Sequence, residues 1–176
     1  MKQAVRIVAM LALVCGGAVQ LRAQTGALAG DVLKDWQDQG QQVRGLAAAM
    51  PDDKFGFKPT PAQRSFAQQV THIAEINVMV LRALGARTAA PQIDTMATTK
   101  AAALAELAKS YTYGEAVIRE FNDAAMAQGV DGPPFLGRST RARLAYFAMS
   151  HAMDSYGQMV VYLRLNNIVP PASAGM

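Results

Sequence analysis

The chain has 176 residues and a formal net charge of +4, and 51% of its residues are hydrophobic. This length suits one domain with a full hydrophobic core. The single cysteine, Cys15, lies within an N-terminal apolar run, so the rest of the chain has no thiol for nucleophilic catalysis, metal ligation or disulfide formation.

The N-terminal residues have the pattern of a secretory signal peptide. Lys2 and Arg6 form a basic start, residues 7–19 are an apolar run, and small or apolar residues follow, as at a cleavage site. The apolar run is shorter than the ~20 residues that a spanning helix needs. We predict that residues 1–23 are a signal peptide, that residues 24–176 form an exported domain, periplasmic or secreted, and that no stable membrane span remains after processing.

Processing would change the charge balance of the chain. Loss of three basic residues with the leader leaves 14 basic and 13 acidic residues, a net charge of +1. The isoelectric point of about 9.4 therefore owes much to the export signal. Because the domain has no basic stripe, we predict no nucleic-acid partner.

Four long helical segments are predicted, separated by turn residues. The first covers about 27–50 and ends before Pro51, with apolar residues at helical spacing. The second is predicted to start at Thr60, with Pro61 in the first helical position and Gln63 completing a capping box. It is predicted to end near Leu84, where Gly85 follows.

The third segment is predicted to begin at Thr98 or Thr99 and to reach about Ala127. A bend or break is predicted at Gly114, because glycine in a helix interior is less favourable than alanine by ~1 kcal/mol. Residues 128–137 are predicted to be an irregular loop.

Ser139 or Thr140 is predicted to cap the fourth segment, which extends to about Asn167. No useful stretch alternates with period two, so no sheet is predicted. Four such helices in one domain indicate a helix bundle.

The domain has only two histidines, His72 and His151, and each lies on the inward face of a predicted helix. A buried imidazole needs partners for its two nitrogens, and a divalent metal is one such partner. Asp154 and Ser155 follow His151 at i+3 and i+4, so these side chains share one side of the last helix with Gln158 at i+7. Spacing alone leaves a satisfied core histidine as the alternative to a metal ligand.

Three stretches of the sequence resemble the DinB-like family. Residues 60–74 resemble its second helix, residues 100–107 resemble the opening of its third helix, and residues 151–173 resemble the ending of its exported branch. The resemblance extends over residues 27–173. It implies a four-helix bundle with up-down-down-up connectivity.

The resemblance also implies a divalent metal, zinc or nickel, held by three histidines, of which one comes from the second helix and two come from the fourth at i and i+4. His72 and His151 match two of these positions, and Ser155 stands at the third. A serine hydroxyl is a poor zinc or nickel ligand because it stays protonated near neutral pH. We therefore predict weak metal binding or none.

Three interpretations of this site remain open. Asp154 could complete a set of two histidines and one carboxylate, or Glu75, one turn after His72, could do so. In the third interpretation, Glu75, Gln158 and Ser155 join the two histidines in a hydrogen-bonded pocket that lacks a robust metal site.

Two functions follow from these interpretations. The first is an exported, non-catalytic binding or interaction protein of unassigned activity, with a small-molecule ligand in the pocket and pairing as a homodimer. The alternative is a divalent-metal-dependent hydrolase or transferase that uses His72, His151 and a carboxylate from Asp154 or Glu75. No residue is assigned a catalytic role, and whether the protein is an enzyme stays open.

Overall fold

The computed structural model describes residues 26–174, and the predicted signal peptide lies outside them. Its long helices are α1 (Ala27–Ala49), α2 (Phe66–Arg82), α3 (Lys100–Ile118) and α5 (Arg141–Leu165). The smaller elements are α4 (Asp123–Met126), β1 (Gly129–Asp131), β2 (Arg138–Thr140) and two 3₁₀ turns, Asp52–Lys54 and Pro171–Ser173. Within the described residues, every helix is too short or too polar to cross a membrane.

Contacts between the helices give their directions. Along α1, Gln37 bonds to Glu115, whereas Arg44 lies over the ring of the earlier residue Tyr111, so α1 and α3 are antiparallel. Helix α3 also packs against α2. There, Asn77 bonds to Ser110 at 3.3 Å.

Helices α2 and α3 are parallel, because Leu81, one turn beyond Asn77, lies beside Gly114, one turn beyond Ser110. Parallel neighbours need a connection that returns along the bundle, and residues 83–99 provide it.

Helices α2 and α5 are antiparallel. Gln69, near the start of α2, bonds to Gln158 at 2.8 Å, and Arg141, the first residue of α5, bonds to the carbonyl of Leu84 beyond the end of α2. The chain order of directions is therefore up-down-down-up, which confirms the predicted all-α four-helix bundle.

The start of α2 differs from the prediction. Ser65, not Thr60, is the N-cap, and its side chain and that of Gln68 form a reciprocal capping box. Thr60 and Gln63 form only a turn, with a 3.1 Å backbone hydrogen bond. The backbone amide of Phe66 bonds instead to a carbonyl of the preceding connector, which holds the intervening residues outside the helix.

The third helix also differs from the prediction. It runs without a break through Gly114, because the glycine gives room to the ring of Trp36. It ends at Ile118 rather than near Ala127, and Asn122 caps the separate short helix α4. The Glu120 carboxylate, just beyond the end of α3, accepts hydrogen bonds from the backbone amides of Arg87 and Thr88, which ties this part of the chain to the connection after α2.

The predicted irregular loop contains part of a small hairpin. Strands β1 and β2 pair antiparallel, with Val130 opposite Ser139. Ser139 lies in β2, and Thr140 caps α5 by accepting from the amide of Arg143. The prediction of no sheet was wrong for these residues, because three-residue strands are too short to produce a recognisable period-two pattern.

Candidate functional site

The two histidines meet between α2 and α5. The rings of His72 and His151 have centroids 4.9 Å apart and an interplanar angle of 70°, an edge-to-face contact. Both side chains are half-buried. The antiparallel packing of the two helices therefore brings together residues that lie far apart in the sequence.

Burial lowers the pKa of both imidazoles below the ordinary value of 6.5. The guanidinium of Arg64 lowers both pKa values further, and the neighbouring His151 does so for His72. Glu75 opposes the shift at His72, and Asp154 opposes it at His151. Both rings are therefore neutral at neutral pH, and each carries one N–H donor and one acceptor nitrogen.

Ser155 is buried one helical turn after His151 and is only 2% exposed. The Nδ1 atom of His151 is also buried, and it has no hydrogen-bond partner among the described residues. A buried nitrogen without a partner is costly. This part of the site thus has unused hydrogen-bonding capacity.

The remaining predicted site residues form two groups. Glu75 places Oε2 3.8 Å from Nδ1 of His72, with its side chain 54% exposed. Asp154 instead accepts a 3.0 Å hydrogen bond from Nε2 of Gln158. Asp154 and Gln158 are both exposed. The structure thus brings Glu75 to His72 and ties Asp154 to Gln158.

Sequence reasoning missed a hydrogen-bond network that joins the start of α2 to α5. Gln69, only 2% exposed, donates to Oε1 of Gln158 at 2.8 Å, and the hydroxyl of Tyr162 donates to the carbonyl of Arg64 at 2.7 Å. The signal was present, because Gln69 is a polar residue three positions before His72 on the same helix face.

An aromatic row borders the other side of the site. Phe147 stacks on His151 with a centroid distance of 6.5 Å and an interplanar angle of 28°. Phe135, from the connection between β1 and β2, lies 5.8 Å from Phe147 and is 61% exposed. The hairpin therefore places an aromatic side chain at the edge of the site. The prediction of an irregular loop gave no reason to expect this.

A cleft of about 190 Å³ opens beside His72. One wall is a face of α2, where positions 68, 71, 72 and 75 recur at helical spacing, and Arg64, which precedes the N-cap, also lines the cleft. Thr95, from the connection between α2 and α3, lines the cleft from outside the helix. The hydroxyl of Thr71 donates to the carbonyl of Thr95.

The donor set does not fit the three-histidine metal centre that the resemblance implies. Two imidazoles are present, but Ser155 offers a neutral hydroxyl where the third nitrogen would be. Asp154 is engaged with Gln158 and exposed. Across residues 26–174, no three histidine, cysteine, aspartate or glutamate side chains converge as a ligand set.

Comparison with solved structures supports the fold. A DinB-like protein from Bacillus cereus has a TM-score of 0.67 at 16% sequence identity, and the match covers 81% of this chain and 95% of that one. A DinB-like protein from Bacillus subtilis has a TM-score of 0.58 at 16% identity, covering 78% of this chain and 92% of that one.

A search among curated proteins found no match. The family model described as the DinB superfamily matches residues 35–159, which is more than half of the sequence. With the up-down-down-up bundle and the paired imidazoles on α2 and α5, this match shows that the chain belongs to the DinB superfamily.

Proposed function

We propose that this chain is a DinB-like binding protein whose pocket at His72 and His151 accepts a small molecule, and whose metal site is degenerate. The observation that carries the proposal is the buried hydroxyl of Ser155 at the third ligand position. The cleft of about 190 Å³ that opens beside His72 supports it, because that space can admit a small molecule.

The metal content of the purified protein tests this proposal. Wild-type protein, dialysed against zinc or nickel and then desalted, should retain far less than one metal ion per chain by elemental mass spectrometry. Ser155→His should retain one ion per chain, because it supplies the missing imidazole. A wild type that stays fully loaded would refute the degenerate site.

Ser155→Cys provides a second variant in case histidine does not fit this buried position. Cysteine has nearly the size of serine, and its thiolate is a good zinc ligand. It should also retain zinc, while Ser155→Ala, the matched control, should not. Circular dichroism would show whether each variant is folded.

The alternative function is a divalent-metal-dependent hydrolase or transferase. The contact between Glu75 and His72 at 3.8 Å is the observation in its favour, since it places a carboxylate beside one of the two imidazoles. This function requires a loaded wild type that loses its metal in Glu75→Ala or Asp154→Ala. If neither variant changes the metal content, the carboxylates are not ligands.

We also propose that the protein is exported and forms a homodimer. The leader pattern of residues 1–23 supports export, and the intact mass of the extracytoplasmic product should then correspond to a chain that begins at or near Gln24. Sedimentation equilibrium would measure the subunit number. A full-length mass or a monomer would contradict these two proposals separately.

A further inference from the structure

The cleft beside His72 carries opposite charges. Arg64 lies before the first turn of α2, and Glu75 lies eleven residues later, within the helix. Both side chains line the cleft, with His72 between them in the sequence. The cleft therefore offers a cation and an anion to one ligand.

Both charged groups are available to a ligand. Among the described residues, the guanidinium of Arg64 has no salt bridge or side-chain hydrogen bond, and Arg64 is exposed. Glu75 has only its contact with His72, and 3.8 Å is too long for a hydrogen bond.

Uncharged polar groups also line this cleft. Gln68, Thr71 and Thr95 line the cleft together with His72. The volume of about 190 Å³ corresponds to about six water molecules at ~30 Å³ each, so the cleft suits a small ligand. A ligand of one sign would face repulsion at one end of the cleft.

We propose that this cleft binds a small zwitterionic amino acid, with its carboxylate at Arg64 and its ammonium group at Glu75. The inference rests on the proposed function, because the cleft opens beside His72 of the proposed site, and the inference names the class of ligand that it takes. Arginine suits a carboxylate because its planar fork donates two parallel hydrogen bonds.

Titration by NMR, in buffer with EDTA to exclude metal, tests this ligand class. The probes are alanine and β-alanine, together with propionate and ethylamine, each of which lacks one charged group of either amino acid. We expect at least one amino acid to bind at least about tenfold more tightly than both truncated probes, since each lacks a charge-assisted hydrogen bond. Shifts should concentrate at residues 64–75.

Two variants separate the roles of the charges. Arg64→Gln should weaken amino-acid binding about tenfold or more, as should Glu75→Gln, while Glu75→Gln should leave propionate binding equal or stronger. Arg119→Gln, on the exposed end of α3 and outside the cleft, is the matched control and should have no effect.

Three results would overturn the inference. They are no saturable binding of any probe at millimolar concentration, propionate binding as tightly as the amino acids, and amino-acid binding that neither variant weakens. None of these results depends on the metal content of the wild type or of Ser155→His. Failure of this inference is therefore distinguishable from failure of the proposed function.

Discussion

Replacing Gly114 with alanine should destabilise the bundle although alanine favours helix formation. A Cβ atom at this position would lie 2.2 Å from Cζ2 of Trp36 and 2.7 Å from Cδ1 of Leu81. Both neighbours are buried, and Nε1 of Trp36 donates to the carbonyl of Tyr111 at 3.0 Å. The indole ring is thus held where the new methyl group would be.

The size of the effect follows from two opposing contributions. Glycine to alanine in a helix interior stabilises by ~1 kcal/mol. Overpacking a core costs ~1–3 kcal/mol. Here the contact with Trp36 must open by about 1.2 Å to reach the 3.4 Å of ordinary contact, which places the cost at the upper end. We expect a net loss of ~2 kcal/mol in the free energy of unfolding.

Urea unfolding followed by tryptophan fluorescence measures this loss directly, because Trp36 is the only tryptophan in the chain. Gly157→Ala is the matched control, since Gly157 lies within α5 and its Cβ would meet nothing within 4 Å. It should stabilise by up to ~1 kcal/mol. A Gly114→Ala protein at least as stable as wild type, with unchanged emission, would refute the close approach of α1 and α3.

Three further predictions concern other contacts. The Asp123 carboxylate accepts from two amides at the start of α1, one at 2.8 Å, so Asp123→Ala should lower the free energy of urea unfolding by ~1 kcal/mol. Hydrogen bonds from a threonine hydroxyl and two backbone amides lower the pKa of Glu120 from 4.5 to about 2. The stability that the ionised carboxylate contributes above pH 4.5 should therefore be lost as the pH falls towards 2. Glu120→Gln should make the free energy of urea unfolding less dependent on pH over that range. In an NMR titration, His72 and His151 should protonate below pH 6.5, and Arg64→Gln should raise both pKa values. Unchanged pKa values in the variant would mean that the guanidinium of Arg64 lies too far from the imidazoles to affect them.

Much of the bundle could be predicted from local sequence signals. Apolar residues at helical spacing marked all four long helices, and Thr99 and Thr140 cap two of them by side-chain hydrogen bonds to amides three residues on. Such signals involve neighbours in the chain, so they are readable without the rest of the fold. The inward faces of His72 and His151 were predictable for the same reason.

Local signals did not distinguish between two similar starts of α2. Thr60 with Gln63 and Ser65 with Gln68 both match the capping-box pattern, five residues apart. Backbone hydrogen bonds from residues 66 and 67 back to the connector at 57 and 55 select the second. Those bonds exist only once the connector has folded against the helix.

The sequence by itself determined the four long helical segments and which of their faces turn inward. Only the tertiary structure decided that Gly114 makes room for an indole, that Gln69 joins Gln158, and that the rings of His72 and His151 meet. The physical reason is that these contacts span different helices, and their geometry depends on how far each helix is shifted and rotated against its neighbours. Ridge-and-groove packing of the whole bundle sets those values, and no short stretch of sequence contains them.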